Sequence, residues 1–506
     1  MHKNNLLSRS NQLENAVKNT KDSSIIHLWH RYNNIKDTIA DITFLEANEN
    51  IRLNELIEKS EIQEKELKRK VPGFQEFINN NQKTWIDIRN SLKSGEVAID
   101  FVKFIYIDQG LTDSIKYVAY IIRPEWNEPR FQFLFNEDDL SKIVDPNNTE
   151  ATLNRMYKAV ETGTFSNSAL YNLIWKPLES HLINSNTIYL SLSGLLHRLS
   201  FAAISMPEGG ILNDKYELRY FGNLKDITKA QNAADQIVKA SILFGGINYE
   251  LEPSLIVSDV VISNNVIDST TRSIKNTNWT YLSGTLEEVK SIQEISNSNG
   301  INSVVYSATN ASEEQFRQIV DIRNSTSYLI HFASHGFSFN TRDTTYLKDQ
   351  NLKGINSTLS SRNKIIASSD ALSRSGLIMS GANQAWKRGI CYPNREDGIL
   401  TAREISNMDL SGCTLVTLSA CETGLGELKG SEGVFGLQRG FRMAGVKHQI
   451  VSLWKVPDKE TSIFMQIFYK NWLSEKMSIN AAFRETQKMM SKKYKPYQWA
   501  AFILVQ

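Results

Sequence analysis

The sequence predicts an α/β protein of two units in tandem, preceded by a helical arm. Three observations lead there. From about residue 95 to the end, short runs of near-continuous apolar character alternate with helix-periodic runs, the pattern of mostly parallel sheets covered by helices on both faces. The alternation is interrupted by a polar, β-branched, weakly periodic stretch near residues 252–278, which reads as a linker. The length of 506 residues also exceeds what a single core ordinarily serves.

Hydrophobic residues make up 41% of the chain and charged residues 22%, ordinary values for a soluble globular protein. A net charge of +2 gives no basis for direct nucleic-acid binding or for an acidic solvating tail. No window reaches the roughly 18 consecutive apolar residues of a membrane span. The start, "MHKNNLLSRSNQLENAVKN", has no apolar signal core. Three cysteines, Cys391, Cys413 and Cys421, are too few for a disulfide framework and fit a reducing, cytoplasmic setting.

Residues 1–85 form the arm. Ile25, Leu28, Trp29, Tyr32, Ile35, Ile39 and Ile42 recur at three- and four-residue steps, which is helical spacing. "LNELIEKSEIQEKELKRKVPG" continues as a charged helix stopped at Pro72 and Gly73. It reads equally as a packing arm, the end of a helical-repeat region or a partner-binding arm.

Residues 86–255 form the first α/β unit, with strands expected at 97–107, 116–124, 130–135, 187–194 and 241–247 and helices near 150–162 and 168–183. A linker over 256–278 follows. Residues 279–506 form the second unit. It alternates "EEVKSIQEIS" (helix), "INSVVYS" (strand), "SEEQFRQIVDI" (helix) and "SYLIHFASHG" (strand), then a polar loop from about 338 to 370. "SGLIMSG", "CTLVTLSAC", "HQIVSLWKV" and "WAAFILV" supply further strands, with helices between them.

In an open α/β sheet, reacting groups gather beyond the carboxyl ends of the strands. "SYLIHFASHG" delivers His335 and Gly336 there, and "TLVTLSAC" delivers Cys421. A histidine beside a thiol can take its proton, and the thiolate can then attack a carbonyl carbon. The backbone N–H groups of Gly336 and Cys421 suit an oxyanion hole. A lone strand-end cysteine is also an ordinary small core residue, and the residues alone leave both readings open. His331, inside the apolar run, reads as structural, as does Cys413.

Three rivals fail on order and spacing. A phosphate-binding loop needs Gly-Lys-Ser/Thr, whereas this loop reads Lys429, Gly430, Ser431. A zinc site lacks a Cys-x-x-Cys pair and a helical His-Glu-x-x-His motif; neither a metal nor another cofactor is expected. A serine-hydrolase elbow needs Gly-x-Ser-x-Gly, and here the sequence is "SACETG".

Five motifs in order, "HFASHG" (331–336), "DGILTA" (397–402), "LSACETGLG" (418–426), "SLWKVPD" (452–458) and "WAAFILV" (499–505), make the chain resemble the CHAT family of caspase-like cysteine peptidases, which often carry tetratricopeptide repeats. The resemblance covers roughly residues 85–506. It implies a pseudo-caspase unit followed by an active caspase-like domain, with His335 and Cys421 on the catalytic histidine and cysteine and His197 structural. The spacing of these two residues exceeds the roughly 50 residues of caspases, and the long intervening loop accounts for it.

The expected activity is cleavage of a protein substrate through an acyl-enzyme. Asp458, Asp397 and Glu422 are candidates for binding a basic substrate side chain, although Asp458 equally suits a helix start. Restraint by a regulatory protein acting through the arm is expected, in bacterial regulated proteolysis or defence. A catalytically silent caspase-like scaffold that only binds proteins is the alternative.

Overall fold

The computed structural model describes residues 17, 20, 22–45, 50–71, 83–107, 114–144, 152, 156–157, 168–230, 237–250, 278–322, 327–339, 361–368, 370–388, 396–420, 423–424, 426–428 and 434–506. Most of the helix expected near 150–162, nearly all of the 256–278 linker, most of the 338–370 loop, Cys391, Cys421 and Glu422 lie outside the described residues.

The arm holds two helices, α1 (Ser23–Leu45) and α2 (Asn50–Lys70). Ile25, Leu28 and Tyr32 meet Leu67 and Val71 in a small core separate from that of the α/β body. A short helix, α3 (Trp85–Ser91), follows. Its Ile88 packs on Ala98 and Ile122 of the first strands.

The strands are β1 (Glu96–Tyr106), β2 (Ser114–Ile122), β3 (Arg130–Asn136), β4 (Thr187–Ser191), β5 (Glu217–Tyr220), β6 (Ala240–Ile247), β7 (Asn302–Ala308), β8 (Tyr328–Phe332), β9 (His335–Ser338), β10 (Ser375–Ile378), β11 (Ile399–Thr401), β12 (Cys413–Leu418), β13 (Glu427–Leu428), β14 (Val434–Phe435), β15 (His448–Ser452) and β16 (Phe502–Val505). Between 168 and 181, where one helix is expected, the turns change hydrogen-bond register through α, π and 3-10 segments.

Among the described residues one sheet of 11 strands runs through the whole body in the order β3-β2-β1-β4-β5-β16-β15-β12-β8-β6-β7. The sheet has two halves, β3-β2-β1-β4-β5 and β16-β15-β12-β8-β6-β7, and β6 of the expected first unit lies in the second half. The halves meet where Val505 of β16 pairs with Tyr220 of β5, and Gln506 N–H donates to the Tyr220 carbonyl at 2.8 Å. β5 escapes sequence reading because "ELRY" is short and half-buried. β6, which precedes the expected linker, lies between β8 and β7 and is parallel to both.

Pairing is parallel along β15, β12, β8, β6 and β7. β16 runs antiparallel to β15, and β5, β4 and β1 follow the direction of β16. The carboxyl ends of the two halves thus face opposite rims. His197 sits in the helical turn Gly194–Arg198 after β4, on the rim away from His335. β4, β6, β8 and β12 are buried at every position, which is why they read as continuous apolar runs.

Helices α4 (Ser283–Ser298) and α5 (Glu313–Ile322) flank β7 in the chain. α6 (Ala382–Arg388) follows β10, α7 (Ala402–Ser406) follows β11, and α8 (Leu437–Met443) follows β14. α9 (Asp458–Tyr469) and α10 (Ile479–Ser491) precede β16. Among the described residues, no helix is long and apolar enough to cross a membrane.

Candidate active site

The strand expected over "SYLIHFASHG" is broken. β8 ends at Phe332, and His335 opens β9, which belongs to a separate antiparallel sheet, β11-β10-β9. The step between them is pinned by the Ala333 N–H donating to the Phe244 carbonyl at 2.7 Å. His335 then pairs with Ile378, and Gly336 with Leu377. The imidazole therefore projects from the second strand of a corner beyond the carboxyl end of β8. This is a switch point, since the chain goes from β6 outward to β7 and returns to β8 on the other side.

His335 is only 3% exposed. Its Nε2 lies 2.8 Å from the Thr280 carbonyl oxygen. A carbonyl only accepts, so Nε2 carries a proton and donates it, leaving Nδ1 as the basic nitrogen of the neutral ring. Tyr249, just past β6, and Trp279, just before α4, both pack against the imidazole, each with its ring centroid 5.1 Å away. Sequence reading missed Thr280, Tyr249 and Trp279. A backbone carbonyl has no side-chain signature, and the two aromatics border the linker-like stretch.

Leu418, the last residue of β12, pairs with Phe332, the last of β8. The Ser419 N–H donates to the Phe332 carbonyl at 2.8 Å. In sequence, His335 is three positions past Phe332 and Cys421 three positions past Leu418. Cys421 itself lies outside the described residues, but both flanks of its position are tied down. Ser452 Oγ donates to the Ala420 carbonyl at 2.6 Å, and Ser452 N–H donates to Thr423 Oγ1 at 3.1 Å. Gly424 N–H donates to the Ser452 carbonyl at 2.8 Å. A Cβ on Gly424 would lie 3.0 Å from that carbonyl oxygen, so glycine is needed for the close approach.

Beside Ala420 is a shallow recess of about 10 Å³, room for a single water, lined by Ser419, Ser452, Trp454, Val456, Thr461 and Phe502. None of these described walls is ionisable. Asp458 opens α9, its Cβ close to Gly284, and is not among these walls. Asp397 belongs to a different cluster, where its carboxylate accepts from the Ile399 N–H at 2.9 Å. Glu422 lies outside the described residues.

In that cluster Glu313, Glu396 and Glu404 bring carboxylate oxygens within 4.8 Å of one another. All three point at one guanidinium: Arg317 is 2.7 Å from Glu313, 3.0 Å from Glu404 and 3.4 Å from Glu396. Their convergence is thus explained by arginine. Burial, and then the Glu404 charge, push the Glu313 carboxyl up to about 9 against the opposing pull of Arg317. Burial pushes Asp397 up to about 6.

His331 is fully buried, with Nε2 2.8 Å from Glu288 and Nδ1 3.2 Å from Tyr469 Oη. Tyr469 Oη also lies 2.9 Å from Thr417 Oγ1. This network ties β8 and β12 to α4 and α9. Cys413 is buried within β12, and burial pushes its thiol far above the ordinary range.

A family model described as the CHAT domain matches residues 166–506. The chain belongs to the CHAT domain family. Among curated proteins it is similar to tetratricopeptide repeat protein 28 of Mus musculus, 33% identical over 118 residues, and of Homo sapiens, 31% identical over 116 residues. These matches cover 23% and 22% of this chain, and the chain spans only about 5% of the length of either relative. Among solved structures it is similar to the Saccharomyces cerevisiae separase–securin complex, at 10% identity and a TM-score of 0.42, over 96% of this chain and 37% of that one. It is also similar to the Arg-specific cysteine proteinase gingipain R, at 9% identity and a TM-score of 0.37, over 73% and 74% of the two chains. The CHAT domain match takes in β8, β9, β12 and the network around His335.

Proposed function

We propose that this CHAT-domain chain is a cysteine endopeptidase acting through Cys421 and His335. The supporting observation is the register of β8 and β12, which brings the two motif-bearing strand ends side by side at one rim. The Nε2–H bond to Thr280 adds to it by leaving Nδ1 as the base.

The Cys421 thiol proton passes to His335 Nδ1, and the sulfur forms a bond to the scissile carbonyl carbon. The Gly336 and Cys421 N–H groups hold the resulting oxyanion. As the tetrahedral adduct collapses, the C–N bond breaks and Nδ1 returns the proton to the leaving amine. Water, losing a proton to Nδ1, then attacks the thioester. The C–S bond breaks, releasing the carboxylic acid and the thiol. No cofactor takes part.

The substrate is a protein. Asp458, Asp397 and Glu422 are the candidates for binding a basic side chain of that substrate. A regulatory partner acts through α1 and α2, whose core is separate from that of the body, in regulated proteolysis. The test is a search for new protein N-termini after adding the chain or its Cys421→Ala variant to a proteome. New termini made only by the parent support the peptidase. Identical products from both, or none from either, favour a protein-binding scaffold.

A further inference from the structure

The histidine in this proposed dyad is held by backbone and ring contacts, so what holds those contacts bears on its chemistry. Asn383, the second residue of α6, is 1% exposed. Its Oδ1 accepts the Trp279 N–H at 2.8 Å, and its Nδ2 donates to the Trp279 carbonyl at 2.9 Å. Nδ2 also donates to Glu250 Oε1 at 2.6 Å. The backbone N–H of Asn383 donates to the Tyr249 carbonyl at 3.1 Å. One residue thus bonds the main chain of both aromatics whose rings pack against His335. Trp386, one turn further along α6, packs on the Trp279 ring at 5.0 Å.

We infer that Asn383 is a positioning residue for His335, an inference that rests on the peptidase reading above. Closing both backbone groups of Trp279 fixes the chain entering Thr280, whose carbonyl receives the Nε2 proton. The carbonyl direction sets the ring orientation and keeps Nδ1 the basic atom. Three sequence-distant segments, residues 249–250, 279–280 and 383–386, meet at this one amide. The bond count is also near complete: the amide oxygen accepts once and the nitrogen donates twice, as a buried amide requires. If Asn383 is lost, Trp279 and Thr280 relax, the imidazole loses its orientation, and the imidazolium no longer stabilises the thiolate.

The probe is iodoacetamide, with alkylation at Cys421 followed by peptide mass spectrometry against pH, using the full chain. In the parent, Cys421 is expected to react ahead of Cys391 and Cys413 near neutral pH, as a thiol that shares its proton with a histidine does. In Asn383→Ala the midpoint of the profile rises by about one unit, so the rate below the midpoint falls by up to about tenfold while the high-pH plateau is kept. Asn471→Ala removes a comparable buried amide bond, Asn471 Nδ2 to Thr486 Oγ1 at 3.2 Å, and leaves the profile in place at a similar loss of melting temperature.

Should Asn383→Ala not fold, Glu250→Ala is read instead, since Glu250 is exposed. It removes the acceptor that orients the amide and shifts the profile in the same direction by less. Glu250→Gln keeps the acceptor oxygen and restores the parent profile, which separates the hydrogen bond from the charge. A profile unmoved in Asn383→Ala, or in Glu250→Ala where that variant stands in, overturns the inference and leaves the peptidase reading standing. A parent in which Cys421 reacts no faster than Cys391 and Cys413 removes both.

Discussion

His335 is joined to Thr280 by a hydrogen bond of 2.8 Å from imidazole Nε2 to a backbone carbonyl, and no side chain at position 280 can be exchanged to abolish it. The ring itself is the accessible variable. His335→Gln retains an amide donor for the carbonyl but supplies no base. Its turnover is predicted to fall by about 10²–10⁴-fold, the usual contribution of general base catalysis, while the melting temperature changes little. Measured kcat on a substrate found by the N-terminus search checks this. Unchanged turnover would move the base elsewhere.

Gly424 carries a second prediction. A methyl there meets the Ser452 oxygen and Val451 Cγ2 at 3.0 Å each, too close for either to remain in place. Gly424→Ala is expected to displace the segment after Cys421 and destabilise the fold by about 1–3 kcal/mol, typical of overpacking. With Cys421 as the proposed nucleophile, activity should fall by more than that stability loss accounts for, because the Ser452 bonds flank its position on both sides. Thermal melts beside kcat/KM decide it.

The acid–arginine cluster is predicted to contribute a pH dependence to stability. Glu313 is pushed up to about 9 from 4.5, and Asp397 up to about 6 from 3.8. Both folded-state values exceed the unfolded ones, so the unfolded chain releases protons that the folded chain retains. Stability must then fall as pH rises, through Asp397 between about 4 and 6 and through Glu313 between about 4.5 and 9. Glu313→Gln, neutral at every pH, should flatten the decline between pH 6 and 9. Melting temperatures across that range test it, and an unaltered slope would mean the decline has another source.

Asp458 tests the selectivity of the proposed site. It opens α9, beside Gly284 and outside the described walls of the recess. A carboxylate in the first helical turn contributes about 0.3–1 kcal/mol through the helix dipole. Asp458→Asn should therefore lower stability slightly and leave the preferred cleavage residue unchanged. A changed preference in the N-terminus search would put this side chain in the substrate pocket after all.

Much of the fold is legible because burial on both faces makes β4, β6, β8 and β12 plain apolar runs. The joining strand β5 is not, since it is short and carries Glu217 and Arg219 paired to each other at 2.6 Å. The corner at Ala333 and Ser334 is hidden by small residues that fit strand or turn. His335 stands out because its residue type carries chemistry. Thr280 does not, because any residue there offers the same carbonyl. Asn383 in "SGAN" reads as an ordinary helix start, and its bonds to Trp279 exist only once distant segments meet.

The buried pair His331–Glu288 separates a structural histidine from the proposed base, His335. Both side chains are fully inaccessible and 2.8 Å apart, and His331 also reaches Tyr469 at 3.2 Å. Removing one partner strands the other in the core, which costs about 3–5 kcal/mol. Replacing both by apolar groups of similar size removes the stranded group and recovers much of that loss. His331→Leu is thus expected to be severely destabilised, and His331→Leu with Glu288→Met markedly less so. In the double variant the pH profile of Cys421 alkylation should match the parent, because this network lies within β8 rather than at its end. Denaturant melts measure the first part and the iodoacetamide profile the second. A shifted profile would give His331 a share in setting the thiol, coupling the buried network to the rim.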